Sequence, residues 1–520
     1  MARIVLINPR FEISYWGLEH ALPLFGKRCN LPTACLPLLA ALTGEGHEVT
    51  LIDENVEALD YKKIAEADIV GLTGMIVQRH RMTEILTELK RRGVFTVVGG
   101  PWVTVQEDYF GDLADVIFVG EAEETWPKFL AEWQAGSYAK RYEQVQQTDM
   151  TKVPRPRYDL LKMRHYAFGS LQFSRGCPFQ CEFCDIIITF GRRPRLKTTE
   201  QVIAEIDDMR AQGMDMVFIV DDNLIGNKKA VKVLLAAVKE WQERNGYPLI
   251  FFTEASIDLA DDAELMQAML DANIQAVFIG IESPNEASLR ETKKLQNVRT
   301  GGTLLEKVHR IQDAGIDPWC GMIVGFDNDG PDIFDLQRRF LKDSRILHVM
   351  IGLLYAIPKT PLHKRLAAEG RLDFDDAPAY GTNVIPAQMT REQLRDGYVN
   401  LMESLYEPDT YFKRLESLFV PRKFRVGRSR TAYLKRHPWR RVKAWAFEWA
   451  RCLVLFTRLM REVPSAKLRR EYRRRLTSYA LRHRGPDELF IYIVKCVMHY
   501  HHHTLATRMA QHETGVVSTF

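Results

Sequence analysis

The sequence contains no apolar run approaching the roughly 18 residues that a bilayer-spanning helix needs. Its most apolar short stretch, Cys452–Phe456, is hemmed in by Arg451 and Arg458. The amino terminus, MARIVLINPR, has too short an apolar core for a secretory signal. Cysteine is scarce, 8 in 520 residues, which excludes a disulfide scaffold. There is no internal repeat, and no biased tract apart from His499-Tyr500-His501-His502-His503, which its place near the chain end marks as solvated surface. With 46% hydrophobic and 27% charged residues, global disorder and collagen-like structure are excluded as well. These absences leave a cytoplasmic protein, soluble or peripheral to the inner face of the membrane. At roughly 100–200 residues per domain it predicts two to four domains.

The net charge of +4 conceals an asymmetry. Between Pro421 and Gly485 there are 21 Lys and Arg against only Glu448, Glu462 and Glu471, so the remainder of the chain is acidic. Trp439, Trp445, Phe447 and Trp449 interleave with the arginines. A stretch of this kind faces an anionic partner, a lipid surface or a nucleic acid, or packs its apolar side on the rest of the protein.

Hydrophobic periodicity predicts an α/β protein with a mainly helical carboxy-terminal extension. Strands at Ile4–Asn8, His47–Ile52, Ile69–Thr73, Phe95–Val98 and Val116–Val119 alternate with helices at Leu36–Glu45 and Thr83–Arg92. This rhythm implies a doubly wound, Rossmann-like parallel sheet over residues 1–135, its ligand at the carboxyl ends of the strands. Gly99-Gly100-Pro101 and Gly120-Glu121 follow two of those strands, where absent side chains admit close approach. No G-x-G-x-x-G follows the first strand, which counts against a dinucleotide. Residues 136–165, polar and proline-bearing, read as a linker. Six further strands, Leu171–Ser174, Met216–Val220, Leu249–Thr253, Ala276–Ile281, Trp319–Val324 and His348–Tyr355, predict a partial (β/α)6 barrel over 166–365. Acids follow several of them: Asp221-Asp222, Glu254, Glu282 and Asp327. One such acid is commonly a helix cap, but recurrence around one rim marks a binding site. Residues 366–520 read as helical and basic, with Thr390-Arg-Glu-Gln393 as a capping box.

Cys177-x3-Cys181-x2-Cys184 stands directly after the first barrel strand, with Gly176 and Pro178 preventing regular structure. Three soft thiolates within eight residues select zinc, copper(I) or an iron-sulfur cluster. Structural zinc wants a fourth ligand, and the nearest histidine, His165, lies twelve residues upstream. A cluster held by three cysteines leaves one iron open for chemistry.

In this context the trio resembles the signature of radical S-adenosylmethionine (SAM) enzymes. The resemblance implies a 4Fe-4S cluster on Cys177, Cys181 and Cys184 that chelates SAM and releases a 5′-deoxyadenosyl radical. It also implies SAM contacts from Phe183, Asp221, Glu254, Ser256, Glu282, Gly321 and Gly325, with an external electron donor and no catalytic base. Asp221-Asp222-Asn223 stands where many members carry Gly-Gly-Glu. Residues 1–135 resemble the cobalamin-binding domain of one subfamily, which implies contacts from Thr73, Gly99, Gly100, Pro101, Gly120 and Glu121. The Asp-x-His-x-x-Gly element that supplies a lower histidine ligand is absent, so no axial cobalt ligand is named; His80 and Trp102 read as packing.

Tyr355 to Arg371 and Asn383 to Leu415 resemble the branch that includes hopanoid C-2 methylases, implying methyl transfer to an unactivated carbon of a hopanoid-type lipid. A non-methylating cobalamin-dependent radical reaction is the alternative. A nucleic-acid methylthiotransferase ranks lower, because its second cluster requires three amino-terminal cysteines and only Cys29 and Cys35 are present.

Overall fold

The computed structural model describes residues 1–298, 301–419, 427–482 and 485–511; the start of the basic segment, 421–426, lies outside them. Strands β1 (Arg3–Asn8), β2 (Glu48–Asp53), β3 (Ile69–Thr73), β4 (Thr96–Gly99), β5 (Val116–Val119) and β6 (Arg141–Glu143) form one wholly parallel sheet in the order β2-β1-β3-β4-β5-β6. Alternate residues serve opposite faces. Val5, Ile7, Val70 and Leu72 pack on the helix Arg79–Arg91, and Ile4, Leu6, Ile69 and Val97 pack on Cys35–Thr43 and Thr125–Gln134. Strand order reverses between β1 and β3, so a crevice opens at their carboxyl ends. The segment 136–165 is not a free linker: β6 lies inside it and extends the sheet, because Tyr142 stacks on Phe118 at 5.4 Å.

Short strands β7 (Gly169–Leu171), β8 (Ser174–Arg175) and β9 (Arg195–Leu196) lead into β10 (Met216–Ile219), β11 (Ile250–Glu254), β12 (Ile274–Glu282), β13 (Asp317–Val324) and β14 (Val349–Leu353). The second sheet runs β7-β10-β11-β12-β13-β14, all parallel and open between β7 and β14. Val217, Ile219, Phe251, Val277, Ile279 and Met322 are buried beneath surrounding helices. The residues between them point into the barrel. β8 and β9 pair antiparallel and stand apart from the sheet.

Carboxy-terminal helices close the barrel at the amino-terminal ends of its strands. Arg414 Nη1 donates to the Ile346 carbonyl at 2.9 Å, and Lys495 Nζ meets Asp317 Oδ2 at 2.6 Å and His348 Nε2 at 2.8 Å. The histidine tract is not solvated surface. It sits within the helix Pro486–Ala510, with His499, His501 and His502 fully buried. His499 Nε2 donates to the Tyr406 carbonyl at 3.0 Å and its Nδ1 accepts from the Tyr472 hydroxyl at 2.7 Å. His501 Nε2 donates to the Ser14 carbonyl at 3.1 Å while Nδ1 accepts from the His20 amide. Backbone and hydroxyl partners thus satisfy the His499 and His501 rings, and the His502 ring stacks on Tyr15 at 4.3 Å, where chain-end position alone had suggested water.

Burial pushes His499 and His501 down to about 3. Above the unfolded value of about 6.5, neither state is protonated and stability is complete; below it, the unfolded chain takes up protons that the native helix refuses. The loss at pH 5 is about 2 kcal/mol for each such imidazole. Circular dichroism melts are expected to show Tm falling from pH 7 to pH 5, less steeply in His501→Gln. A Tm independent of pH over that window contradicts the assignment.

Candidate active site

The cysteine loop is held at its base by the β8–β9 pair, in which Ser174 faces Leu196 and Arg175 faces Arg195. Gly176 adopts φ +95°, and a Cβ there would lie 3.0 Å from the carbonyls of Gly191 and Arg193, so only glycine lets the two sides close. Asp221 accepts from the amides of Phe173 (2.7 Å) and Ser174 (2.9 Å) and from the Ser174 hydroxyl (2.6 Å). Asp222 accepts from the Gly176 amide at 2.7 Å. Asp221, expected to contact SAM, braces the loop: both its oxygens hold the backbone that launches it. These bonds interrupt the single strand expected at Leu171–Ser174 and turn the chain toward the rim.

Cys181 is buried, and Cys177 and Cys184 are half-buried. Gln296 Nε2 donates to Cys181 Sγ at 3.6 Å and Asn223 Nδ2 to Cys177 Sγ at 4.0 Å. Burial pushes the Cys177 and Cys184 thiols up, so thiolates there call for a metal's positive charge. Among the described residues no three His, Cys, Asp or Glu converge on a single ion. Three soft thiolates on one loop are the donors an iron-sulfur cluster takes. The donor set thus fits an iron-sulfur cluster.

Below the loop, Glu254 points into the barrel and forms no side-chain hydrogen bond among the described residues. Burial, then the charges of Asp222 and Asp221, push its carboxyl up to about 8. An unpartnered carboxyl in that position suits an ammonium group. Ser256 accepts from Asn223 Nδ2 at 3.1 Å, and its amide donates to Asn223 Oδ1 at 3.2 Å, so Asn223 links Ser256 to Cys177. Glu282 takes a left-handed φ of +63° at a bulge in β12 and binds Lys294 Nζ at 2.7 Å. Against the opposing cost of burial, Glu282 and the thiol of Cys181 hold Lys294 above its ordinary range. Lys294 also stands 6.0 Å from the Phe183 ring, which packs on Phe326 at 5.9 Å. Sequence reasoning missed Lys294 and Gln296. Both lie in the Lys293–Asn297 stretch, and only the chain's return over the loop brings them to the cysteines.

Gly321 faces the barrel interior, where a Cβ would meet the Phe278 ring at 3.0 Å, and Gly325 (φ +108°) donates to Asp329 Oδ2 at 3.0 Å. Deeper inside, Phe218 stacks on Phe252 at 4.7 Å, Phe252 meets Trp319 at 5.5 Å and Trp16 meets Phe278 at 5.0 Å. Phe218, Phe278, Trp319 and Trp16 remain partly accessible although they lie at mid-strand or in the covering loop. An ordinary barrel fills this space with its own side chains; here those rings that line it stay partly accessible.

At the facing edge of the first sheet, Thr73, Gly99, Gly100, Pro101 and Gly120 gather at the carboxyl ends of β3, β4 and β5. A Cβ on Gly100 would lie 2.3 Å from Thr73 Oγ1. The Trp102 indole N–H is buried there without a partner among the described residues. Bare backbone at a switch-point crevice fits a large planar cofactor such as a corrin. His80 is half-exposed and lies 3.3 Å from Asp376. Glu121 is engaged otherwise: its carboxylate binds Arg175 Nη1 at 2.7 Å and Arg195 Nη1 at 2.8 Å, while Glu123 adds a second contact to Arg175 at 2.5 Å. Although burial acts in the opposite sense, these arginines hold Glu121 below its ordinary range. The cysteine loop is thereby riveted to the first domain.

Comparison with known proteins agrees with this arrangement. Residues 32–130 match the B12 binding domain, 171–336 the radical SAM superfamily and 360–514 a domain of unknown function. An uncharacterized methyltransferase of Synechocystis sp. is 40% identical over 83% of this chain and 81% of its own. A hopanoid C-2 methylase of Rhodopseudomonas palustris is 35% identical over 80% of this chain and 79% of its own. The solved radical S-adenosylmethionine methyltransferase TsrM from Kitasatospora setae, with cobalamin and a [4Fe-4S] cluster bound, shares the fold at TM-score 0.58. It is 17% identical and covers 71% of this chain and 75% of that one.

Two outcomes are expected. Glu121→Ala takes from Arg195 its only carboxylate among the described residues and leaves Arg175 with Glu123 alone, and is expected to cost about 3 kcal/mol in denaturant unfolding; a change within experimental error contradicts the joint. Anaerobically purified Cys181→Ala is expected to lose its iron and acid-labile sulfide while retaining corrinoid, and undiminished iron contradicts the ligand set.

Proposed function

This chain belongs to the cobalamin-binding radical SAM methyltransferases, and from that premise we propose that it methylates an unactivated carbon of a hopanoid-type lipid, at C-2. The observation that carries the substrate class is the aromatic lining of the barrel: Phe218, Phe252, Phe278 and Trp319 present rings to its interior, and the Trp319 indole N–H is spent on Asp317 at 3.1 Å. A fused-ring lipid matches such a lining in bulk and polarity, whereas a nucleotide would leave its polar edges without partners.

The cofactors are a 4Fe-4S cluster, SAM and cobalamin. Bound together, they supply a hydrogen-abstracting radical and a transferable methyl group. In the proposed arrangement Cys177, Cys181 and Cys184 hold the cluster, and Gln296 and Asn223 donate to its sulfur ligands. Glu254, Ser256 and Glu282 face the polar part of SAM, with Phe183, Gly321 and Gly325 beside its adenine. Lys294 balances Glu282 and offers its charge beside Cys181. Thr73, Gly99, Gly100, Pro101 and Gly120 contact cobalamin. The protein's own task is positional: it must bring three reacting groups into mutual reach and exclude water from a reactive intermediate. An external protein or small-molecule donor supplies the electron. No described helix is long and apolar enough to cross a bilayer.

Incubating the reduced holoenzyme with methyl-labelled SAM and a hopanoid-containing lipid extract is expected to label lipid. Formation of 5′-deoxyadenosine without label transfer would favour the non-methylating alternative. Phe218→Ala removes about 1.5–3 kcal/mol of apolar contact. It is expected to lower kcat/KM for the lipid at least tenfold with iron and corrinoid unchanged; unaltered kinetics would displace the aromatic lining as substrate site.

A further inference from the structure

The long helix Pro438–Glu462 packs on the protein with only one side. Glu448, Cys452, Leu455 and Leu459, spaced by four, three and four residues, are buried. Trp439, Val442, Trp445, Trp449 and Leu453 recur at three- and four-residue spacing along the opposite side. Their exposure is 84, 59, 55, 37 and 67%, far above what a soluble surface gives to large apolar side chains without cause. Phe447 and Val454 widen the strip at 59 and 51%. The apolar side therefore does not pack on the barrel.

The charge around the strip has one sign. Lys435, Arg436, Arg441 and Lys443 are exposed and form no ion pair among the described residues. The helix's acids are spent: Glu448 is buried against Arg430 and Arg451 at 3.4 and 3.5 Å, and Glu462 pairs with Arg461 at 3.1 Å. Tryptophan at a polar–apolar boundary, aliphatic residues beside it and unpaired cations at its margins are the chemistry of a helix lying in a lipid interface. We propose that Pro438–Glu462 docks this protein onto an anionic bilayer, with the Trp439–Leu453 strip entering the acyl boundary and the flanking lysines and arginines meeting headgroups.

Charge selects this occupant over two others. Symmetric pairing of two copies through the strip would bring together two faces that carry the same unpaired cations, Arg441 and Lys443. A nucleic acid would satisfy the cations but offers no hydrocarbon to Val442, Leu453 and Val454. The inference deepens the lipid-substrate reading and rests on it for its biological sense, but not for its physics.

The test is co-sedimentation of the full-length holoenzyme with vesicles of phosphatidylglycerol and phosphatidylcholine, and with phosphatidylcholine alone. Binding is expected with the anionic vesicles, weakening with salt, with a blue shift of tryptophan emission. W439S/W449S/L453S is expected to reduce binding at least tenfold. R441E/K443E, which leaves every apolar residue in place, is expected to abolish the anionic preference. Absence of binding at low salt, equal binding by both variants, or loss of self-association without change in vesicle binding would overturn the proposal. Methylation of detergent-dispersed lipid separates the two readings. Activity in detergent without vesicle binding defeats only the docking helix, and vesicle binding without lipid methylation defeats only the substrate assignment.

Discussion

One buried acid governs the geometry of the active centre. Glu121, at the carboxyl end of β5, accepts two arginines that flank the cysteine loop, Arg175 before it and Arg195 after it. The three charges are nearly excluded from water, so the pairing fails steeply if either domain shifts. Removing Glu121 leaves Arg195 without a carboxylate among the described residues and Arg175 with Glu123 alone. The joint couples the two parallel sheets at the point where their ligand edges meet, and hence sets the distance between the cysteine loop and the crevice of the first domain. Asp221 and Asp222 reinforce it from the barrel side by holding the backbone from Phe173 to Gly176.

From that joint the barrel is graded in polarity along its axis. The rim carries Glu254, Glu282 and Lys294 beside the cysteines. The middle is aromatic. The floor, supplied by the carboxy-terminal helices, is a buried polar set of Asp317, His348 and Lys495. A polar rim tolerates a charged cofactor and an aromatic middle receives an apolar body. The closed floor keeps solvent out from below, which radical chemistry requires. The helical extension is thus part of the reaction vessel and not an appendage, and its tightest element, Pro486–Ala510, depends on histidines that stay neutral.

Much of this was legible before the structure. The eleven strands expected in the two sheets lie within a few residues of those observed, because buried parallel strands read as uninterrupted apolar runs. The capping box at Thr390 and Gln393 forms as its spacing implies. The cysteine spacing pointed to the radical SAM family, whose model matches residues 171–336, because three soft thiolates within eight residues are a local feature of the chain. Illegible were contacts made by chain segments far apart. Lys294 and Gln296 reach the cysteines from more than a hundred positions downstream. β6 hid in a polar stretch because an edge strand needs only one inward side chain, Tyr142. The histidine tract was misjudged because its hydrogen-bond partners, Ser14, Tyr406 and Tyr472, come from three distant regions.

The sequence by itself determined the element pattern, the ligand-bearing loop and the charge imbalance, all of which depend on residues close together along the chain. Only the tertiary structure decided which acids remain free for a cofactor and which brace backbone, and which apolar residues line the barrel, fill a core or face outward on Pro438–Glu462. The physical reason is that hydrogen-bond satisfaction and burial are properties of surroundings: an aspartate, a histidine or a tryptophan acquires its role from groups that folding places around it.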